Sequence, residues 1–315
     1  MIAAAPPPVA RLLDRLRHPL AELPAEELAA MWRRFRIEVV CERPRDFDGG
    51  PGLAQRVRGA WGEELGRTLV ACAPPGDTTP FPLVNLLFGS AGRLRRGDER
   101  PKSYVVAAEM RGDALIIAIT LFGFPGYWAA QAADALCRAL QEGIKVAQPS
   151  RSRARPVIRS VRIKRLDAVI PPALGSSCFL FLDTPLNIPA LRDPALVDLP
   201  PREAEAWRAQ AFFRGLANRV GGIARWQDYG LAIDWQSYLG AARRVRFDAG
   251  ALWEERWQRW SRNQPGRPIE MTGERPRLYL EGDLEPFAAL LALGETCHVG
   301  EDATLGLGRY ELAPA

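Results

Sequence analysis

The sequence predicts an α+β protein built from two tandem ferredoxin-like (RRM-like, βαββαβ) folds with antiparallel sheets, the second fold being embellished. Two observations lead to this fold class. Strand and helix patterns follow one another in the order β-α-β-β-α-β over residues 34–163. After the Pro171-Pro172 break, the same order begins again with an apolar strand. The length of 315 residues fits two ordinary domains.

Each element of the first half has its own local pattern. Alternating, β-branched residues predict a strand over Arg34–Glu42, and apolar residues at helical spacing predict a helix over Gly52–Cys72. The stretch Cys72–Arg100 is expected to be a loop. The remaining elements are, in order, a hairpin of Tyr104–Met110 and Ala114–Phe122, a helix over Tyr127–Leu140 and a strand over Val157–Ile163.

The second half repeats this plan with additions. An apolar strand over Cys178–Leu182 leads to a helix over Arg202–Val220, which Gly221-Gly222 caps. Two stretches, Ala241–Asp248 and Ala251–Ser261, are expected to be extended. The remaining elements are a strand over Arg277–Leu280, a short helix from Asp283 through Leu293 and a terminal Gly-rich strand.

An amphipathic helix precedes the first strand. It carries leucines on one face, is broken by Pro19 and has His18 at its end. We therefore expect a helical extension over residues 1–30, a first ferredoxin-like domain over residues 31–170 and a second over residues 171–315, which ends in the Gly-rich loop.

Composition points to a polyanionic partner. The net charge is +5, the pI is about 9.1, and nearly all of the 42 basic residues are arginine. Arginine binds phosphate and stacks on bases, so the bias suits nucleic acid, although a GC-rich genome also favours arginine codons. Five scattered cysteines without a CxxC pair argue against zinc and for a reducing cytosol. Without a signal peptide or a long apolar run, we expect a cytoplasmic protein with no membrane partner.

The most basic stretch covers residues 151–165. It contains seven basic residues and no acidic one, and the mutual repulsion of these charges favours contact with a polyanion over a merely solvated face. RNA phosphates are the preferred interpretation. The basic residues are Arg151, Arg153, Arg155, Arg159, Arg162, Lys164 and Arg165.

Tryptophans and arginines alternate in residues 252–262. Trp253, Trp257 and Trp260 lie among arginines that include Arg256 and Arg259. Aromatic rings can stack on bases while arginines bind phosphate. The same indole spacing also fits a helical core stripe, so both interpretations stay open.

The Gly-rich end of the chain indicates a close approach of backbone to a ligand. Glycine lacks a Cβ, so the amides around Gly300, Gly306 and Gly308 could approach a ligand closely, and Arg309 indicates that the ligand is anionic. The chain has no P-loop, GxGxxG, GxSxG or HExxH motif. The adjacent carboxylates Glu63-Glu64 and Glu254-Glu255 point apart on a helix or strand, so neither a cofactor nor a metal is expected.

These residues resemble a known family. The ending GETCHVGEDATLGLGRYEL resembles that of the CRISPR repeat-processing endoribonucleases, the Cas-six family of the RAMP superfamily. Four further segments are similar to that family in the same order: LAQRVRGAWGEEL, ALIIAITLFGFPGYWAAQAADAL, FLFLDTPLNI and LYLEGDLEPFAALLALGE. The resemblance covers about residues 35–312.

The resemblance implies metal-independent cleavage of CRISPR repeat RNA. It implies attack by a 2′-hydroxyl, products with a 2′,3′-cyclic phosphate and a 5′-hydroxyl, and a protein that stays on the crRNA hairpin with other Cas subunits of an effector complex. Many members keep a catalytic histidine on or beside the helix after the first strand, whereas residues 43–70 contain no histidine here. Three options for catalysis therefore remain: His298 in the Gly-rich loop, His18, and the first-helix arginines Arg56 and Arg58 acting by charge stabilisation alone.

Two other functions stay open. The protein could be a non-catalytic crRNA-binding scaffold subunit of a CRISPR ribonucleoprotein, which needs the same basic surfaces without proton transfer. It could also be a protein–protein assembly module whose basic residues meet acidic partners. RNA binding that weakens steeply with salt argues against the second of these.

Overall fold

The computed structural model describes residues 8–45, 47, 49–50, 52–73, 80–89, 93–95, 98–99, 102–146, 152–248, 254–261, 264–274 and 277–315. The helices are α1 Pro8–Arg17, α2 Ala25–Ala30, α3 Leu53–Thr68, α4 Leu83–Leu87, α5 Ala129–Glu142, α6 Pro201–Ala224, α7 Trp235–Ala242 and α8 Ala288–Cys297. The strands are β1 Ala21–Leu23, β2 Arg34–Glu42, β3 Ala71–Cys72, β4 Phe81–Pro82, β5 Arg93–Arg95, β6 Asp98–Glu99, β7 Tyr104–Arg111, β8 Ala114–Phe122, β9 Ile144–Lys145, β10 Arg153–Ala154, β11 Ile158–Leu166, β12 Ser177–Leu182, β13 Tyr229–Leu231, β14 Arg246–Asp248, β15 Glu254–Ser261, β16 Gln264–Glu274, β17 Arg277–Glu281 and β18 Tyr310–Pro314.

The first sheet has the strand order β11-β2-β8-β7, and every neighbouring pair is antiparallel. Helix α3 connects β2 to β7, and α5 lies between β8 and β11 in the chain. In chain order this is βαββαβ with spatial order 4-1-3-2, which is the ferredoxin-like arrangement. On β2, Ile37, Val39 and Cys41 point into the core. The alternate residues, such as Arg36 and Glu38, lie on the opposite face, which we call the open face of the first sheet.

The second sheet repeats the arrangement with the order β14-β17-β12-β18. Its strands are again antiparallel, with α6 between β12 and β14 and α8 between β17 and β18. The embellishment is the long hairpin β15–β16, inserted between β14 and β17. Both ferredoxin-like folds are therefore confirmed by strand order alone.

Two main hydrophobic cores lie beneath these sheets, and each takes residues from the other half. Trp226 of the second half is buried in the first core, whereas Trp32 and Phe122 are buried in the second. The extension joins the first core through Leu12 and Leu16 of α1. The division at residues 30 and 170 stays a prediction, because the packing crosses both positions.

Some short elements differ from expectation. The stretch predicted to be a loop contains α4, which buries three leucines, while β3 pairs with β4. The stretch predicted to be extended from Ala241 is the end of α7, and only Arg246–Asp248 forms a strand. The cap of α7 explains this difference, because the carboxylate of Asp234 accepts hydrogen bonds from the amides of Gln236 and Ser237. Among the described residues, no helix is long and apolar enough to cross a membrane.

Candidate nucleic-acid interface

A cavity of about 320 Å³ lies between the first sheet and the second half of the chain. Its floor is the open face of the first sheet, with Arg34 and Arg36 of β2 beside small residues of β7 and β8. Its other wall comes from the end of α8 and the start of β18, including Glu295, His298 and Arg309. Burial raises the pKa of the Glu295 carboxyl and lowers that of the Arg34 guanidinium. The cavity therefore holds both signs of charge in a partly desolvated space.

A second cavity of about 270 Å³ shares Asp183 and Arg309 with the first. It is bordered by the start of α3, by Gly306 of the Gly-rich loop and by Glu255 of β15. The two cavities form one groove that runs from the open sheet face to the start of α3. We refer to it as the central groove.

Arg309 lies where the two cavities meet, and its charge is already compensated. Its guanidinium forms ion pairs with Glu109, at 3.3 Å, and with Asp183, at 3.0 Å. Its backbone amide donates to the hydroxyl of Thr184. An incoming phosphate would therefore have to compete with two carboxylates for this arginine. Its predicted role in RNA binding stays a prediction.

His298 follows α8 and is only 4% exposed. Burial, together with Arg219 and Arg309, lowers the pKa of its imidazole from 6.5 to about 3. The backbone carbonyls of Leu307 and Ala303 oppose this shift by hydrogen bonding, and Nδ1 has no hydrogen-bond partner among the described residues. The imidazole is therefore neutral near pH 7 in the unliganded protein, and the catalytic role of His298 stays a prediction. The neutral ring can accept a hydrogen bond. Unless its surroundings change, almost none of it is protonated near neutral pH, so it cannot act as a proton donor.

The other two catalytic candidates lie outside the groove lining. His18 is exposed at the end of α1 and pairs with Asp14 at 3.1 Å. Arg58 of α3 donates a hydrogen bond of 2.7 Å to the hydroxyl of Tyr104, and its guanidinium lies 4.9 Å from the centre of the Phe88 ring. These contacts position Arg58 within the packing of the first half.

The three glycines of the terminal loop face protein atoms. All three have positive φ angles. A Cβ at Gly306 would lie 2.5 Å from Cβ of Ala54 on α3, and one at Gly300 would lie 2.5 Å from the carbonyl oxygen of Asn187. The amides of Gly306 and Gly308 donate to carbonyls of Ala303 and Pro185. These two amides are therefore used to fold the loop and attach it to the protein, and they are not presented to a ligand.

The basic stretch has two kinds of cation. Arg153, Arg159 and Arg165 form ion pairs with Glu63, Asp113 and Asp167, respectively. Arg155, Arg162 and Lys164 are exposed and show no acidic partner among the described residues, while Arg151 lies outside them.

Two of the unpaired cations, Arg162 and Lys164, lie on strand β11 along a surface that leads to the central groove. It is an edge strand of the first sheet, and Arg162 and Lys164 lie opposite Glu38 and Arg36 of β2, on the open face. The next open-face pair in this register is Leu166 with Arg34, and both residues line the first cavity. A basic surface thus leads from the sheet edge into the central groove.

Residues 254–261 of the tryptophan-rich stretch form strand β15, so Trp257 does not belong to a helical core stripe, while Trp253 lies outside the described residues. Trp257 packs against Met271, Leu305 and Leu307, which places the hairpin beside the Gly-rich loop. Arg256 is exposed on this hairpin. Arg259 pairs with Ile269 through the backbone, and its side chain lies outside the described part of the structure.

Sequence reasoning missed several residues that line the groove. Arg34 and Arg36 carried a usable signal, because they alternate with the buried residues of β2 and must share its uncovered face. No pattern in the sequence marks Asp183 or Glu295 as a site residue, because only the tertiary fold brings Asp183 to Arg309 and Glu295 to Arg34. Within the described residues, no cluster of three or more metal-binding side chains occurs.

Comparison with known proteins agrees with the resemblance found in the sequence. Residues 202–310 match the family model of the CRISPR-associated endoribonuclease Cas6. No curated protein matches the chain. Similar solved structures include a Cas6 product complex, with 14% identity, a TM-score of 0.49 and coverage of 89% of this chain and 99% of that one.

Two other solved structures are similar to the same extent. A Cas6-related protein from Pyrococcus furiosus has 11% identity, a TM-score of 0.44 and coverage of 89% of this chain and 98% of that one. A RAMP protein that binds different RNA substrates has 12% identity, a TM-score of 0.45 and coverage of 88% and 99%. The family-model match agrees with the predicted resemblance: residues 202–310 are similar to the CRISPR-associated Cas6 endoribonuclease family.

Proposed function

We propose that the protein is an endoribonuclease that cleaves CRISPR repeat RNA without a metal ion and gives mature crRNA. The observation that carries the proposal is the basic surface that continues from β11 into the central groove. It supports RNA in particular because A-form RNA is held largely through its backbone and shape. The Cas6 family match over residues 202–310 gives the reaction class.

The proposed RNA path follows the open face of the first sheet. Arg162 and Lys164 hold phosphates at the sheet edge, and Arg36 and Arg34 continue the contacts toward the groove, where a phosphate has to compete with Glu38 for Arg36. Each step between opposite residues of neighbouring strands is about 5 Å, so these cations are spaced closely enough to follow a nucleic-acid backbone.

The proposed chemistry is attack of a 2′-hydroxyl on the adjacent phosphate. The O2′–P bond forms as the P–O5′ bond breaks, leaving a 2′,3′-cyclic phosphate and a 5′-hydroxyl. Arg309 stabilises the charge of the phosphorane once phosphate displaces Glu109 or Asp183. Nδ1 of His298, which is buried in the unliganded protein, accepts the proton of the nucleophile once the Gly-rich loop adjusts to the RNA. The departing 5′-oxygen takes a proton from water. A bound phosphate opposes the effect of Arg219 and Arg309 on the imidazole and raises its pKa.

The test is incubation with the cognate repeat RNA in EDTA near neutral pH. We expect one cut, with a cyclic phosphate identified by mass spectrometry. A 2′-deoxy substitution at the nucleotide before the cut should abolish the reaction. His298→Gln should slow single-turnover cleavage, whereas His18→Gln, at an exposed position, is the matched control and should leave it unchanged. Absence of cleavage by the wild type, or cleavage of the 2′-deoxy substrate, contradicts the proposal.

One observation favours a second candidate, a non-catalytic crRNA-binding scaffold subunit. The histidine that lines the groove has a pKa of about 3, which is poorly matched to proton transfer at neutral pH. The scaffold would bind the repeat hairpin together with other Cas subunits. Tight, salt-dependent binding of repeat RNA without any cleavage would select this function, and copurification of crRNA with other Cas proteins would identify the complex.

A further inference from the structure

The open face of the second sheet carries an aromatic cluster that the groove chemistry does not use. On β12, Cys178 and Leu180 point into the core, so Phe179 and Phe181 lie on the other face. Tyr279 of β17 lies directly opposite Phe179 and shares this face. These three aromatic residues are partly exposed, and none of them belongs to a hydrophobic core. We refer to Phe179, Phe181 and Tyr279 as the aromatic face.

The rings are close enough to act as one surface. The ring centres of Phe179 and Tyr279 are 5.0 Å apart, and those of Phe179 and Phe181 are 5.9 Å apart. Their planes are tilted by 43° and 33°, so the three rings form a shallow, continuous layer. Strands β12 and β17 are the first and third strands of their ferredoxin-like unit and lie at the centre of the sheet. In RRM domains, RNA bases stack on aromatic residues of the sheet.

One cation on this face is available to a phosphate, and the exposed carboxylate of Glu311 lies at the far edge of the face, opposite Phe181 on β18. The guanidinium of Arg277 lies 4.6 Å from the centre of the Phe181 ring, and no acidic partner of Arg277 occurs among the described residues. The nearby carboxylates of Glu281 and Asp248 are ion-paired with Arg246. Arg277 can therefore contact a phosphate or stack on a base while the rings hold neighbouring bases.

The aromatic face also borders the central groove. Glu311 of β18 lies opposite Phe181 and shares the open face of the second sheet. The same Glu311 lines the first cavity together with Arg34 and Arg36, which belong to the open face of the first sheet. The two open faces therefore meet at one cavity, one of them basic and the other aromatic.

We propose that the aromatic face binds a single-stranded segment of RNA by stacking its bases on Phe179 and Tyr279, while the basic open face of the first sheet holds the backbone. The inference deepens the proposed function, because it gives that RNA a single-stranded part beside the hairpin. A single strand is required, since bases paired inside a helix do not present their faces for stacking.

The test uses a fluorescein-labelled ten-nucleotide oligouridine and the full-length protein. Phe179→Leu with Tyr279→Leu should weaken binding by about fivefold or more for each ring removed. The slope of log affinity against log salt should stay unchanged, because the phosphate contacts remain. Tyr279→Phe keeps the ring and should bind normally. Tyr127→Leu, at an exposed tyrosine of the first half, is the matched control.

A second measurement identifies the contact directly. Photocrosslinking of an oligouridine that contains 5-iodouridine should attach it to peptides of β12 or β17, as mapped by mass spectrometry. Normal oligouridine binding by the folded double variant, or crosslinks confined to other elements, overturns the inference. A double variant that binds oligouridine normally and changes its sedimentation assigns the face to protein contact instead.

The outcome is separable from that of the proposed function. A wild type that cleaves repeat RNA while the double variant keeps its oligouridine affinity refutes only the aromatic face. A wild type that cleaves nothing, combined with a variant that loses oligouridine binding, refutes only the enzyme.

Discussion

Protonation of His298 should destabilise the fold, and the size of the effect can be worked out. The pKa of the imidazole is about 3 in the folded protein and 6.5 without the fold. Between these values the unfolded chain binds more protons than the folded one, so stability falls as the pH decreases below 6.5. Well above pH 6.5 both states are neutral at this ring and the effect vanishes.

For a single site, linkage gives a loss of about 2 kcal/mol of unfolding free energy between pH 7.5 and pH 5. The loss continues until the pH reaches the folded pKa. His298 is almost fully buried, so solvent screening reduces this value little. Arg219 and Arg309 keep their charge over this pH range and therefore keep opposing protonation.

The assay is urea unfolding of the wild type and His298→Gln at several pH values between 5 and 7.5. Glutamine keeps a polar side chain without a titrating ring, and the difference between the two pH profiles isolates His298 from the carboxylates. We expect the wild type to lose about 2 kcal/mol more than the variant over this interval. Parallel profiles for the two proteins would refute the assignment of a depressed pKa to His298.

Two further predictions follow from the loop and from strand β11. Gly306→Ala should destabilise the protein by at least about 2 kcal/mol, because φ is +91° and the new Cβ would meet α3; Gly59→Ala, where a Cβ meets nothing within 4 Å, should stabilise it by up to about 1 kcal/mol in the same denaturation experiment. Replacing Arg162 and Lys164 by glutamine should reduce the salt slope of repeat-RNA binding by about 1.4 to 1.8. Arg165→Gln should change it less, because Arg165 is ion-paired; equal effects of paired and unpaired cations would contradict the proposed path.

The fold could be predicted because its signals are local. The alternation on β2 and the helical spacing on α3 depend only on which residues face the core. Short elements such as α4 were missed because five residues give too few turns for a periodic pattern. The number of long strands and helices and their order along the chain then favour the ferredoxin-like arrangement, because few topologies are compatible with this number and this order.

The site could be predicted only in part. The basic stretch was visible as a charge pattern, but its division into paired and unpaired cations depends largely on Glu63 and Asp113, which only the fold brings near Arg153 and Arg159. The pKa of His298 depends on Arg219 and Arg309, which are 79 and 11 residues away in the chain. Sequence position gives the type of a titrating side chain, whereas its proton affinity is set by burial and by neighbours from other elements.

The couplings around Arg309 connect RNA binding to the protonation of His298. In the unliganded protein Glu109 and Asp183 compensate Arg309, while Arg309 and Arg219 disfavour a charged imidazole. A phosphate that displaces a carboxylate from Arg309 would place a new negative charge in the same groove. That charge would favour the imidazolium, so RNA binding and proton uptake by His298 must be linked in the same direction. The affinity for repeat RNA should therefore rise as the pH falls toward 5, by an amount that His298→Gln removes, and titration calorimetry in buffers of different ionisation enthalpy measures the proton uptake directly.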